Sequence, residues 1–185
     1  MKSIFQRLTP RYVLNQLYGH ITPRYVLNRI KNILYERRHP YNPWLTKDAI
    51  NIIEQIIHKS DVGVEFGSGR STTWFLKRLR HLISVESNES WYKIVENKCK
   101  REIKEGKLSY LFKTSEEEYI NFINEIETES IDFCLIDGAF RDTCAINMLD
   151  KIKKSGVLVI DNINCYIPCQ TYAPFSANKD FNNQL

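Results

Sequence analysis

The chain has 185 residues, of which 43% are hydrophobic, 12% aromatic and 26% charged. That length carries one domain with a sizeable core and excludes two ordinary enzyme domains plus a linker, and the composition excludes a fibrous or largely disordered chain. The net charge of +4 is unevenly placed: residues 1–38 hold eight basic side chains against the single acid Glu36, leaving 18 basic and 21 acidic elsewhere. The expected organisation is a basic N-terminal arm, 1–38, joined to an acidic-to-neutral body, 39–185.

In the arm, Thr9-Pro10-Arg11-Tyr12-Val13-Leu14-Asn15 recurs letter for letter from Thr22 to Asn28. Each copy reads as a helix start, with threonine as cap and proline at the first helical position. The second helix continues through Ile30, Ile33 and Leu34. Two short copies do not make a solenoid, so the repeat is a local duplication. The prolines of 39–45 mark a linker, and behind it short apolar runs alternate with helical periodicity. Helices are expected over 46–58, 74–79, 91–99, 116–126 and 144–152, and strands over 62–66, 82–85, 108–112, 131–136 and 157–160. Parallel strands need crossover helices, so this alternation predicts a doubly wound, mainly parallel α/β sheet covered on both faces.

No run approaches the roughly 18–20 apolar residues that span a bilayer, and the N-terminus lacks the apolar core of a secretory signal. A cytoplasmic location follows as the expectation. The five cysteines, Cys99, Cys134, Cys144, Cys165 and Cys169, are an odd set expected to stay reduced, and Cys165 with Cys169 lacks the further ligands of a zinc site.

The segment with the most chemistry is Val64-Glu65-Phe66-Gly67-Ser68-Gly69-Arg70-Ser71-Thr72, between a strand and a helix. Its glycines let a ligand approach the main chain next to a helix N-terminus. Glu86 ends the following strand, where a carboxylate matches the two hydroxyls of an adenosine ribose. Glu65 separates the cofactor classes that use this layout. A dinucleotide would bring a pyrophosphate against that carboxylate, whereas S-adenosylmethionine (SAM) brings an ammonium and a sulfonium. Thr72 also stands where the dinucleotide fingerprint has its third glycine. The alternative is a glycine turn that joins strand to helix beside two solvated glutamates.

At these residues the sequence resembles the class I SAM-dependent methyltransferases. More narrowly, it looks like a bacterial-type group with Glu-Phe-Gly-Ser-Gly-Arg-Ser-Thr in the first loop. The match continues through Ser84-Val85-Glu86, Trp91-Tyr92, the run from Asp132 to Gly138, Arg141-Asp142-Thr143-Cys144, and the run from Gly156 to Asn162, covering about residues 42–168. The resemblance implies a Rossmann-like sheet in the order 3-2-1-4-5. It would put Glu65, Gly67, Ser68, Gly69 and Ser71, with Thr72 beside them, around the methionine end of SAM. It would put Glu86 on the ribose, Ser87 with Thr114-Ser115 near the adenine, and the candidate catalytic residue Asp137 at the reaction centre.

Methyl transfer is an in-line displacement, so the protein's main task is alignment and exclusion of water. None of the four histidines is placed for general catalysis: His20 and His39 lie in the arm and linker, His58 ends a helix, and His81 opens a strand at its far edge. Asp137, Asp161 and Asn162 resemble the metal-binding set of catechol-type O-methyltransferases, and such oxygen ligands would select Mg²⁺ or Ca²⁺; the expectation is nevertheless that no metal binds and that Asp137 and Asp161 bond loop amides or substrate. Arg141 and Asp142 stand as substrate contacts or as an exposed ion pair.

The 24 residues after Asp161 are too few and too polar for the helix and strand pair that close such a sheet. A truncated chain or a reduced variant is therefore expected, with SAM binding more secure than turnover. The leading expectation is methylation of an O or N atom of a small-molecule or glycan-related acceptor. The alternatives are an inert SAM-fold scaffold acting through its basic arm, by peripheral contact of 1–38 with an anionic membrane, with RNA phosphates or with an acidic partner, and a nucleotide-dependent oxidoreductase. No specific nucleic-acid readout is expected of the acidic body, and the oligomeric state is left open.

Overall fold

The computed structural model describes residues 23–166. The chain divides into two units, His39–Asp161 and a second made of Met1–Arg38 with Asn162–Leu185. The expected helix of the first repeat copy, the Thr22 cap, Cys169 and the polar tail from 167 lie outside the described residues.

In the second unit, helix α1 (Pro23–Arg38) begins on proline, where the missing N–H has no intrahelical partner to lose, and ends on Arg37 and Arg38, whose charges complement the unpaired carbonyls. Val26, Leu27, Ile30, Ile33 and Leu34 recur at helical spacing, and every one is exposed. A single 3₁₀ turn, Ile163–Cys165, follows Asn162, which takes a left-handed backbone at φ 52°.

In the first unit, α2 (Lys47–Ile56) is capped by Thr46, whose hydroxyl accepts from the Ala49 N–H at 3.3 Å. The order then runs β1 (Val62–Phe66), α3 (Arg70–Leu76), β2 (His81–Glu86), α4 (Glu89–Lys98), α5 (Lys100–Lys104), β3 (Leu108–Phe112), α6 (Glu116–Glu125), β4 (Ile131–Ile136), α7 (Arg141–Met148) and β5 (Ile152–Ile160). The five strands form one sheet in the order β3-β2-β1-β4-β5, and every pairing is parallel. Among the described residues, no helix is long and apolar enough to cross a membrane.

Alternation along the strands assigns the faces. Val64 and Phe66 pair with Cys134 and Ile136, and these pack with Tyr119, Phe122 and Ile123 of α6 and with Cys144 and Met148 of α7. Gly63 and Glu65 pair with Phe133 and Leu135 and face the opposite way, where Phe133 meets Phe75 of α3 at 5.1 Å between ring centres. Glu65 thus belongs to an interior face by register, and Ser84 of β2 lies beside it.

The strands expected over 62–66, 108–112 and 131–136 coincide with β1, β3 and β4. β5 starts five residues earlier than the apolar run 157–160, because Lys153, Lys154 and Ser155 extend it through an irregularity. There, Ile131 pairs with Ile152 and Phe133 with Val157. Helix α7 starts at Arg141 rather than 144, and the short α5 was not expected.

The first loop leaves β1 through Gly67 at φ +95°, and a Cβ there would stand 2.7 Å from the Gly138 nitrogen; Gly138 is equally tight against Gly67. Gly106 shares a left-handed φ of +70° but has nothing within 4 Å. Gly67→Ala should therefore cost roughly 2–4 kcal/mol and Gly106→Ala only about 1 kcal/mol. Urea unfolding of both variants checks this, and equal losses would show that the Gly67–Gly138 approach is not what demands glycine.

Candidate functional site

The C-terminal ends of β1, β2 and β4 open into a cavity of about 360 Å³. Of the residues singled out from sequence, Gly67, Ser68, Gly69, Ser71, Glu86, Ser87 and Asp137 line it. Glu65 and Thr72 are fully buried. Thr114 and Ser115 are not among the lining residues. Both bond Glu118 at the start of α6, where Ser115 serves as the helix cap. Asn162 belongs to the other unit.

Glu65 is held from two elements at once. Thr72 of α3 donates to Oε2 at 2.6 Å and Ser84 of β2 donates to the same oxygen at 2.8 Å. Oε1 makes no hydrogen bond, although the Ser71 hydroxyl is close enough to act on the carboxylate. Burial pushes the Glu65 pKa up to about 7, against the lowering effect of the hydroxyls, and the Asp137 charge adds to the rise. Thr72 also accepts from the Gly69 N–H at 2.8 Å, so one hydroxyl ties the glycine loop to the buried acid.

Glu86 has a different environment. Its Oε2 accepts from the Ser68 N–H at 3.0 Å and the Ser68 hydroxyl at 2.9 Å, and its Oε1 accepts from the Ser87 and Asn88 N–H groups, each at 2.8 Å. Four donors fill the acceptor capacity of a carboxylate. A further donor at Glu86 would therefore have to replace one of these four. The Ser68 hydroxyl also meets the Tyr110 hydroxyl at 2.6 Å, and Tyr110 stacks on Tyr92 with ring centres 4.4 Å apart.

Asp137 sits with Asp161 around the Arg141 guanidinium. Arg141 reaches the Asp137 carboxylate at 2.9 Å and the Asp161 carboxylate at 3.7 Å. Burial, with the neighbouring Asp161 charge, raises the Asp137 pKa to about 6, and Arg141 opposes the rise. The expected alternative of an exposed Arg141–Asp142 pair is not what forms, because the Arg141 side chain is only 14% exposed and turns to the strand ends. Among the described residues no group of three His, Cys, Asp or Glu side chains could hold a metal ion.

Sequence reasoning missed the aromatic mouth of the cavity. Trp44, from the linker before α2, stacks on Trp91 of α4 at 6.1 Å, and the Arg70 guanidinium lies 4.9 Å from the Trp44 ring centre. Trp91 in turn donates its indole N–H to the Ser68 carbonyl. It also missed Tyr119, whose buried hydroxyl makes no hydrogen bond and lies close enough to Ser87 to feel it. The signal for Tyr119 was an aromatic at a core position of α6, which packing alone explains.

No family model and no curated protein matches the chain. Among solved structures it is similar to a putative caffeoyl-CoA O-methyltransferase from Staphylococcus aureus, with a TM-score of 0.53 and 18% identity over 83% of this chain and 72% of that one. It is also similar to a precorrin 8W decarboxylase from Methanobacterium thermoautotrophicum, with a TM-score of 0.49 and 19% identity over 64% of this chain and 63% of that one. A third is a putative methyltransferase from Streptococcus mutans, solved in complex with SAH, with a TM-score of 0.48 and 13% identity over 60% and 67%. The chain spans just under two thirds of the decarboxylase's length. What the S. aureus protein shares with this chain is the Rossmann-like methyltransferase fold.

The Glu65 environment has a pH signature. The folded protein keeps the Glu65 proton up to about pH 7, whereas an unfolded glutamate releases it near pH ~4.3. This contribution to stability is therefore full below the unfolded pKa and is lost as pH rises through about 7. Glu65→Gln should flatten the dependence and be more stable than the wild type at pH ~8 by on the order of 1–3 kcal/mol. Denaturant unfolding of the ligand-free protein at acidic and alkaline pH is the measurement, and a variant less stable than wild type at the alkaline end would count against a strained carboxylate.

Proposed function

We propose that the chain is a SAM-dependent methyltransferase acting on an O or N atom of a small-molecule or glycan-related acceptor. The observation that carries this reading is Glu65, a fully buried carboxylate with one unpartnered oxygen, in β1 directly before the glycine loop that lines the cavity. A buried acid with spare acceptor capacity favours a cation. A cation would lower the cost of ionising Glu65 and a pyrophosphate would raise it, so this residue supports SAM over a dinucleotide.

When bound, SAM supplies an electrophilic methyl group on a sulfonium. Glu65 and Ser71 would receive the amino-acid end, with the loop 67–69 giving main-chain approach. Glu86 would accept the ribose hydroxyls in place of Ser68. Ser87 and the Tyr119 hydroxyl offer polar groups for the adenine side. Asp137, half-buried and lining the cavity, is the carboxylate available to accept a proton from an acceptor hydroxyl or ammonium group. Trp44 and Trp91 cover the mouth and limit water, which displacement at a sulfonium requires.

Calorimetric titration of the full chain with SAM, its demethylated product and NADH tests the assignment. Saturable binding of the first two is expected, weakened by at least about tenfold in Glu65→Gln and in Glu86→Ala. Tight NADH binding without SAM binding would replace the methyltransferase reading by the oxidoreductase one.

The exposed apolar face of α1 supports a second, separate role, peripheral contact with an anionic membrane at its cytoplasmic side. Val26, Leu27, Ile30, Ile33 and Leu34 are exposed on a helix that ends in two arginines, the combination that lies in a lipid interface. The full chain should pellet with phosphatidylserine-containing vesicles, and Leu27→Glu with Leu34→Glu should abolish this. Wild-type protein that stays in the supernatant would remove the membrane role.

A further inference from the structure

The acid pair at the ends of β4 and β5 already contains a cation. Arg141 opens α7 behind Phe140, whose left-handed backbone (φ 52°) turns the chain sharply from strand end to helix. Its side chain folds back over the sheet edge. Nε donates to the Gly138 carbonyl at 3.0 Å, Nη1 to the Asp161 carbonyl at 2.6 Å and Nη2 to the Asp137 carbonyl at 2.9 Å. The two carboxylates stand at 2.9 Å and 3.7 Å from the same guanidinium. Three carbonyl and two carboxylate oxygens from two strand ends are the hard oxygen donors that Mg²⁺ or Ca²⁺ would use.

They do not fit a metal here. All of them are engaged by one guanidinium, and a divalent ion among them would face a fixed positive charge whose side chain is only 14% exposed. We propose that the Arg141 guanidinium is the resident cation of this centre, standing between Asp137 and Asp161 where a divalent ion would otherwise bind, so that the protein takes no metal there. Arg141 is then a positioning residue. It fixes one oxygen of Asp137 and leaves the carboxylate directed by hydrogen bonds rather than by coordination. Arginine suits this because its fork engages several oxygens at once and keeps its charge, which lysine's point charge does not reproduce. The assignment holds whatever the cavity binds.

Manganese binding to the full chain, followed by electron paramagnetic resonance without any nucleotide present, tests it apart from the SAM reading. Wild-type protein should show no saturable site up to about 1 mM Mn²⁺. Arg141→Ala should gain one, at least about tenfold tighter than any wild-type binding, and adding Asp137→Asn should remove it. A wild-type site that Asp137→Asn abolishes would overturn the proposal, as would a folded Arg141→Ala that gains none. If circular dichroism finds Arg141→Ala unfolded, the wild-type melting temperature decides. An unchanged value in Mn²⁺ against EDTA upholds the proposal, and a rise that Asp137→Asn eliminates defeats it.

Discussion

The site depends on the contact between two main chains, where the loop after β1 passes the loop after β4 at Gly67 and Gly138. β1 and β4 are neighbours in the sheet, yet their following helices go to opposite faces, α3 to the Glu65 side and α7 to the Tyr119 side. Where the connections diverge in this way, a crevice opens at the carboxyl edge of the sheet. The chains leave in opposite directions from a separation that a single Cβ would fill. The cavity, the loop that lines it and the acids at its edges are all fixed relative to that crossing.

Three carboxylates gather around the crossing, and the fold accommodates each by a different means. Glu65 faces a core layer because its register partner and its helix neighbour do, so it is stabilised by hydroxyls and by keeping its proton. Glu86 has its acceptor positions filled by three main-chain N–H groups and the Ser68 hydroxyl. Asp137 shares a guanidinium with Asp161. A structure built only for stability would replace such groups by apolar ones. Glu86 and Asp137 line the cavity, and Glu65 is buried behind its glycine loop.

The sheet was legible in the sequence wherever burial on both faces produced mainly apolar runs, as in Val62–Phe66 and Ile131–Ile136, each interrupted by a single acid. It was less legible at β5, where Lys153 and Lys154 are polar enough to hide a strand that pairs through the backbone. The α7 start was obscured because Arg141 reads as a surface residue until its carbonyl partners are known. In the cavity region, the glycine loop, Glu65 and Glu86 announced themselves by spacing along one strand-helix-strand unit. Trp44 and Tyr110 did not, since each acts on residues far away in the chain and only register or packing brings them together. Ser115, implied near the adenine by family resemblance, caps α6 and does not line the cavity.

The Glu86 environment also joins the strand edge to the cavity mouth. Ser68 gives Glu86 two of its four hydrogen bonds, its hydroxyl meets Tyr110, and its carbonyl accepts from Trp91, which stacks on Trp44. A carboxylate with four acceptor positions filled admits a new donor only by releasing an old one, and the Ser87 and Asn88 N–H groups are anchored by the turn into α4. Ser68 is the donor that can yield. A donor that took its place would act on the residue whose carbonyl fixes Trp91, and through Trp91 on the stacked Trp44. The carboxylate at the end of β2 and the indole pair lining the cavity thus share a single residue of the glycine loop.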